Sequence, residues 1–552
     1  MSRRSPRAAP AADGGGRHTF LVGAGILVSR IAGLVRQRVF AHYLGSGAVA
    51  GVFTAALRIP NLLQNMLGEG VLSSSFIPVY AGLLARGEEE EADHVARAAL
   101  GLLAAAAAAV VGAGVLGAPL LVRILVPGLS GADRALALRL VRILFPATGT
   151  LVLSAWCLGV LNSHRRFFLS YAAPVANNLA VIATLLALGG RVDEERLGGW
   201  VAWGYLAGAL LQLGVQLPSV RALLGAIRPS LSTAGGPLRT VLRNFAPALV
   251  ARGVVQLSAF LDTVYASYVG TRGLAVLGYQ QLLYLLPISL FGMSVSASEL
   301  PAMSSATGSP GEIAAQLRAR MDAGLARLAF LVVPSAGAFL LLGDVVAGAL
   351  FQTGRQGPAD TRYLWLVLAG STVGLLAAAM GRLYASAFYA LKDTRTPLRF
   401  ALVRLALTGG LAWWSAVRMP GALGLPVEAG LVGITATTGL AAWIEFLLLR
   451  RALTRRIGST GLAAAALARL WGAALAAGAL ALGVKAGLVA WLGPMPGLEG
   501  QWGGGFLPPP RLAPALAAAP ILAVYGVAYL ALALGGRPGG IRAALARRLR
   551  RA

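Results

Sequence analysis

The chain has little of the chemistry that enzymes and metal proteins use. It contains one cysteine and four histidines, so the sequence predicts neither an internal disulfide nor a cysteine–histidine metal site. It has no GxSxG elbow, no Walker loop and no HExxH motif. Charged residues make up only 12% of the chain, about half the usual share for a soluble domain. We therefore predict a protein that is not an enzyme and that has no cofactor or metal.

Long apolar segments take the place of charge. Hydrophobic residues make up 57% of the sequence, and apolar runs of about twenty residues, the length of a membrane-spanning helix, recur throughout. The predicted fold is an all-α polytopic membrane protein with about fourteen transmembrane helices. The predicted spans are 19–42, 48–67, 95–125, 138–162, 168–190, 198–220, 240–268, 274–298, 323–351, 361–390, 398–418, 427–449, 462–492 and 512–535.

Acidic residues are scarce as well. The chain has 21 Asp and Glu against 48 Lys and Arg, which gives a net charge of +27. Such an excess would suit a nucleic-acid-binding protein, but the basic residues cluster in alternate loops between apolar spans, as at Arg165 and Arg166 or Arg450 and Arg451. This is the positive-inside pattern of membrane proteins. We predict no nucleic-acid partner, and both termini in the cytoplasm.

Similarity within the chain predicts two halves. VLGAPLLVRILVPG (115–128) resembles LLGDVVAGALFQTG (341–354), and SHRRFFLSYAAP lies where the second half has KDTRTPLRFAL, at an offset of about 225 residues. We predict two pseudo-repeated six-helix lobes around a central cavity, plus two C-terminal helices. The predicted divisions are a disordered basic tail at 1–18, an N-lobe at 19–222, a C-lobe at 223–450, a helix pair at 451–536 and a basic cytoplasmic tail at 537–552.

The first predicted span carries two arginines, Arg30 and Arg36. Ionisable side chains at membrane depth are costly, so they usually face a protein interior or a watery cavity. On a helix, Gly25, Ser29, Gly33 and Arg36 share one face, and Arg30 lies about 120° from Arg36. The two arginines are therefore predicted to flank an anionic ligand. The alternative for Arg36 is that it reaches the lipid headgroups.

Several motifs resemble the MurJ/MviN family of lipid II flippases. They are SRIAGLVRQ (29–37), RIPNLLQNMLGEGVLSSSFIPVYA (58–81), ALFQTGR (349–355) and FYALKDTRTP (388–397), and the resemblance covers nearly the whole chain in order. It implies the multidrug/oligosaccharidyl-lipid/polysaccharide exporter fold, with the last two helices forming a lipid-tail groove. It also implies that the protein moves lipid II, the undecaprenyl-pyrophosphate-linked peptidoglycan precursor, to the outer leaflet of the bacterial inner membrane by alternating access.

The same resemblance implies that Arg30 and Arg36 meet the pyrophosphate. Together with other motif residues and charges inside spans, the predicted substrate-binding residues are Ser29, Arg30, Arg36, Arg58, Asn61, Glu69 and Arg252. The alternative for Glu69 is a structural role, in which its side chain caps the next helix. Asp262 and Glu299 are deep carboxylates and candidate ion-coupling residues, with a hydrogen-bonded structural role as the alternative.

Four positions depart from the family pattern. Gly51 occupies a position where the family has an acidic residue, and Gln64 occupies one where it has a basic residue. Leu282 and Leu285 replace an arginine and an acidic residue that form a pair in the family. These departures keep open an exporter of another polyprenyl-linked glycan or a drug/cation antiporter of the same fold. A cell-wall scaffold is the alternative from another class. The predicted partners are lipid II, membrane lipids and cell-wall synthesis proteins.

Overall fold

The structure is a computed structural model that describes residues 14–68, 72, 75–225, 228–230, 236–494 and 509–535. Within these ranges it describes all side chains except those of residues 14–23, 63, 236, 244 and 246–259. The described residues form helices and turns, and no β-strand occurs among them. Internal contacts divide the chain into two compact units. Unit 1 comprises Met1–Tyr43 and Val52–Phe260, and unit 2 comprises Leu44–Gly51 and Leu261–Ala552.

Unit 1 is built mainly from the first nine helices. They are α1 Gly14–Leu44, α2 Ala48–Leu67, α3 Ile77–Ala85, α4 Glu89–Leu116, α5 Ala118–Leu125, α6 Gly131–Ser163, α7 Phe167–Ala172, α8 Pro174–Leu188 and α9 Glu194–Leu224. The core of this unit forms around α6. Trp156 of α6 is buried and donates its indole N–H to the carbonyl of Ala96 on α4, at 3.1 Å. This bond satisfies the one polar atom of an otherwise apolar side chain at the contact between α4 and α6.

Helix α10, Gly236–Val269, passes from unit 1 to unit 2 after Phe260. The remaining helices are α11 Thr271–Pro287, a π-helix Ile288–Met293, α12 Ser294–Ser304, α13 Pro310–Leu341, α14 Gly343–Phe351, α15 Pro358–Thr372, α16 Leu375–Ala390, α17 Arg395–Val417, α18 Met419–Leu423, α19 Ala429–Ile457, α20 Ala464–Leu492 and α21 Pro514–Gly535. Two tyrosines of α21 attach it to α13. Tyr525 and Tyr529 donate their hydroxyls to the carbonyls of Pro334 and Phe330, at 2.6 and 2.8 Å.

The all-α membrane architecture predicted from the apolar runs is confirmed. Among the described residues, ten helices are long and apolar enough to cross a membrane, or eleven if the pair α15 and α16, bent by 41°, counts as one span. The predicted total of about fourteen is consistent with this fold, because each predicted segment lies on a helix or on consecutive helices. The predicted lobe boundaries remain a prediction from the sequence.

The internal repeat is visible in the backbone of both units. A long helix is followed by a short one at α4 and α5 in unit 1, and again at α13 and α14 in unit 2. In the described residues, Arg165 and Lys392 are the only non-glycine residues with positive φ, at 59° and 60°. Each lies near the start of one of the two motifs that the sequence pairs as repeats, and their separation along the chain is close to the repeat offset of about 225 residues. The two halves therefore share an unusual backbone turn as well as helix order.

The start of α17 shows how the sequence fixes a helix end in unit 2. The Asp393 carboxylate accepts hydrogen bonds from the backbone N–H groups of Arg395 and Thr396, both at 3.0 Å. It also pairs with Arg456 at 2.6 Å. The bonds from Thr396 are the largest cause of a pKa lowered to about 2 at Asp393, and Arg456 adds to it. A charged side chain thus satisfies N–H groups that the helix itself leaves open.

Candidate functional site

A polar cavity of about 650 Å³ lies within unit 1. Helices α1, α2, α6, α7, α8 and α9 contribute to its wall. The lining residues are Gly33, Arg36, Gln64, Asn65, Gly68, Leu151, Ser154, Ala155, Leu158, Ser170, Pro174, Asn177, Asn178, Tyr205, Gln212 and Gln216. We call this space the Arg36 cavity, because Arg36 is the only charged residue among the described residues that line it.

Close packing of α1 brings Arg36 to this wall. At Gly25 a Cβ atom would lie 2.9 Å from the Cβ of Tyr171 and 3.3 Å from the carbonyl oxygen of Phe168, so only glycine lets α1 approach α7 this closely. Gly33, two turns further, faces Asn178. Arg36 follows on the same side of the helix and lines the cavity with Gly33. The small residues predicted to share a face with Arg36 therefore permit the contact that positions it.

The other polar groups of the cavity are held by hydrogen bonds. Gln212 and Gln216 of α9 both donate their side-chain N–H groups to the Ser154 hydroxyl of α6, at 3.0 and 2.9 Å. The Asn177 amide donates to the carbonyl of Tyr205 at 3.1 Å. The side-chain oxygen of Gln216 is buried and has no partner of its own. The cavity wall therefore presents fixed, neutral polar groups and one buried acceptor.

The electrostatic character of the cavity follows from Arg36. In the part of the chain that the structure describes, no carboxylate lies within ion-pair distance of Arg36, and none lines the cavity. A guanidinium carries five N–H donors and stays charged when buried. Amides and hydroxyls around it are neutral. The arrangement suits an anion whose neighbouring groups are rich in hydroxyls and amides.

The other predicted substrate-binding residues lie outside this wall. Ser29 is half-buried and Arg30 is exposed, both on α1, and neither lines the cavity. Arg58 and Asn61 are half-buried on α2, and the side-chain oxygen of Asn61 is buried with no hydrogen-bond partner. Glu69 and the side chain of Arg252 lie outside the described residues. The structure thus brings Arg36 into the cavity without bringing Arg30 there.

The two candidate ion-coupling carboxylates both lie in unit 2, in different surroundings. Asp262 of α10 accepts a hydrogen bond from the Thr438 hydroxyl of α19 at 3.2 Å. Glu299 of α12 is buried and pairs with two arginines of α13, Arg327 at 2.8 Å and Arg320 at 3.6 Å. These pairs fit the hydrogen-bonded structural role that is the alternative for Glu299, and a part in ion coupling stays a prediction for both carboxylates.

Two departures from the family pattern have a structural account. At Gly51 a Cβ atom would lie 1.9 Å from the carbonyl oxygen of Thr271, so no residue with a side chain fits where α2 meets α11. Gln64 lines the Arg36 cavity and supplies an amide where the family has a cation. The leucines at 282 and 285 are half-buried and exposed, and nothing in the structure explains their departure.

Sequence reasoning missed most of the polar wall. Ser154, Tyr205, Gln212 and Gln216 lie on α6 and α9 and were not among the predicted site residues. The available signal was polar side chains inside apolar helices, which must find a partner or line a cavity. Gln212 and Gln216 are also four residues apart, so they share a face of α9.

Comparison with known proteins decides the family. The model of the family described as lipid II flippase MurJ matches residues 40–498. The chain belongs to this family. The match begins at residue 40, so the arginines of α1 lie outside the matched residues. MurJ proteins are transporters rather than enzymes, and as a family member the chain is a multi-pass protein of the bacterial inner membrane.

Relatives and a solved structure agree with the family assignment. The chain is 28% identical to a probable lipid II flippase MurJ of Haemophilus influenzae, over 78% of this chain and 84% of the relative. It is also 28% identical to the lipid II flippase MurJ of Burkholderia cenocepacia, over 78% of this chain and 82% of the relative. A structure of lipid II flippase MurJ in an inward closed conformation has a TM-score of 0.72 at 19% identity, covering 93% of this chain and 98% of that one. The last comparison supports the fold.

Proposed function

We propose that this protein is a lipid II flippase, which moves the undecaprenyl-pyrophosphate-linked peptidoglycan precursor from the cytoplasmic to the outer leaflet. One observation supports a site for this cargo: among the described residues, Arg36 is the single charged residue that lines a polar cavity of about 650 Å³. A diphosphate linked to sugars and a peptide combines an anion with many hydroxyl and amide groups. The Arg36 guanidinium can pair with the anion. The amides and hydroxyls of α2, α6, α8 and α9 can form hydrogen bonds with the hydroxyl and amide groups.

The dimensions limit which part of the cargo this cavity holds. A volume of about 650 Å³ is typical of a site for a ligand of drug size. It suits the pyrophosphate with an adjoining sugar, while the polyprenyl tail stays in lipid. We further propose that Arg30 supplies a second cation at another stage of transport, because it is exposed on α1 rather than enclosed. Asp262 and Glu299, the two deep carboxylates, are both kept as candidates for ion coupling.

The test of the function is rescue of lipid II exposure in bacterial cells depleted of their own flippase. Cells that express the intact chain are expected to regain labelled lipid II in the outer leaflet, and cells with an empty vector are not. Membrane levels of the protein are checked by quantitative blotting. If the chain is present at normal levels and lipid II stays in the inner leaflet, the protein does not move lipid II and the proposal is wrong.

We also propose that both termini are cytoplasmic, which the basic residues in alternate loops support. The only native cysteine, Cys157, is buried and suits this test as a silent background. A membrane-impermeant maleimide is expected to label Arg191→Cys in intact cells, and to label Arg166→Cys only after the membrane is opened. Both positions are exposed, so access to reagent decides the result. Labelling of position 166 in intact cells would reverse the proposed orientation.

A further inference from the structure

A second pocket, with a volume of about 410 Å³, lies in unit 2 between the end of α12 and the first half of α13. Two arginines line it, Arg320 and Arg327, together with the polar side chains of Ser305 and Gln316. The rest of its wall is alanine, methionine and leucine, and no carboxylate is among its lining residues. We call it the Arg320 pocket. The function proposed above places the cargo in the Arg36 cavity of unit 1 and assigns no ligand to the Arg320 pocket.

A buried carboxylate holds the two cations in place. Glu299 is nearly fully buried, and its two oxygens lie 2.8 Å from Arg327 Nη1 and 3.6 Å from Arg320 Nη1. The side chains of Arg320 and Arg327 nevertheless stay 52% and 59% exposed. One carboxylate shared by two guanidiniums leaves a net positive charge. Because each guanidinium has five N–H donors, most of these donors remain available to a ligand.

The position of the pocket along α13 indicates its depth in a membrane. The first eighteen residues of α13, from Pro310 to Arg327, carry five charged residues, and no charged residue follows from 328 to 342. The pocket therefore lies where the charged part of the helix meets its apolar part. In a bilayer this boundary is the headgroup region, where lipid phosphates are found.

We propose that the Arg320 pocket binds the phosphodiester headgroup of an anionic membrane lipid. Arginine forks match phosphate oxygens and form charge-assisted hydrogen bonds with them. Basic pockets between helices at the membrane surface are suited to such headgroups. The apolar side of the pocket, with Met303 and Leu317, would contact the glycerol and the first methylenes of the acyl chains. Inorganic phosphate shares the anion but cannot use the apolar side.

Native mass spectrometry of the purified full chain tests this proposal, with phosphatidylglycerol, phosphatidylcholine and inorganic phosphate as probes. The informative variant is Arg320→Gln, because it keeps the shorter pair between Arg327 and Glu299. Arg318→Gln is the matched control: it removes the same charge from the same helix, at a residue that does not line the pocket. Arg320→Gln is expected to weaken phosphatidylglycerol binding about fivefold, and Arg318→Gln by no more than about twofold.

Two results would overturn the site. Equal losses in Arg320→Gln and Arg318→Gln would show that general positive charge attracts the lipid. Displacement of phosphatidylglycerol by an equal concentration of inorganic phosphate would show a site for free phosphate instead. Arg320→Lys is the control for misfolding, because it keeps the positive charge and loses only the planar guanidinium fork. It is expected to bind phosphatidylglycerol better than Arg320→Gln, and binding as weak as that of Arg320→Gln would also contradict the proposal.

Discussion

Arg36→Ala is expected to abolish most lipid II transport, with a loss of about 10- to 100-fold in the rate of outer-leaflet appearance. The physical reason is that Arg36 is the only charged side chain lining this cavity in the part of the chain that the structure describes. Without it, a diphosphate would enter a space of neutral groups and lose its counter-charge. The measurement is the rate at which labelled lipid II reaches the outer leaflet of flippase-depleted cells that express each variant at equal membrane levels.

Two companion variants separate charge from geometry. Arg36→Lys keeps the charge without the planar fork and is expected to retain an intermediate rate. Arg191→Ala removes the same charge from an exposed loop and is expected to transport like the intact chain. If Arg36→Ala transports as fast as Arg191→Ala, the cavity is not the pyrophosphate site. Arg30→Ala in the same assay tests the second proposed cation, and an unchanged rate would remove Arg30 from the site.

Lys485→Met is expected to destabilise the folded protein by about 3–5 kcal/mol. Lys485 of α20 and Asp344 of α14 are 3% and 5% exposed, and their charged atoms lie 2.5 Å apart. Removing the lysine leaves a carboxylate buried without its counter-charge. The double variant Lys485→Met with Asp344→Leu is expected to recover most of the lost stability, because an apolar pair of similar volume needs no compensation. Thermal unfolding of the purified variants in one detergent measures both effects.

An exposed ion pair provides the comparison. Arg139 and Glu195 also pair, but their side chains are 60% and 54% exposed, so Arg139→Met is expected to cost no more than about 1 kcal/mol. A double variant at 344 and 485 that is no more stable than Lys485→Met would contradict this account. It would show that α20 needs the charges themselves rather than a filled, neutral contact with α14.

Much of the fold could be predicted because apolar length and loop charge are local properties of the sequence. Arg36 was predicted as a site residue for the same reason, since an arginine among Gly25, Gly33 and apolar neighbours needs a polar surrounding. The position of Arg30 outside the cavity could not be predicted. Its angle on α1 is known from the sequence, but the wall it faces depends on how α6, α8 and α9 pack.

Contacts between distant segments account for the other omissions. Lys485 is a lysine within an apolar span, and the sequence gives no means of choosing Asp344 as its partner across 141 positions. The polar wall at Gln212 and Gln216 likewise depends on Ser154, 58 and 62 residues away. At Gly51 a contact with a distant segment explains why a side chain is missing. It was interpreted as a missing acidic group, whereas the backbone of Thr271 leaves no room for any side chain.

The paired turns at Arg165 and Lys392 carry a cost that the folded protein does not need to bear. A non-glycine residue in the left-handed region is destabilised by about 1–2 kcal/mol, and glycine would remove that strain. Both halves nevertheless have a long basic residue there. A positive charge near a span contributes to the choice of which loops stay in the cytoplasm during insertion. In the orientation proposed above, each of these two turns therefore combines a strained backbone with a charge that would hold its loop on the cytoplasmic side.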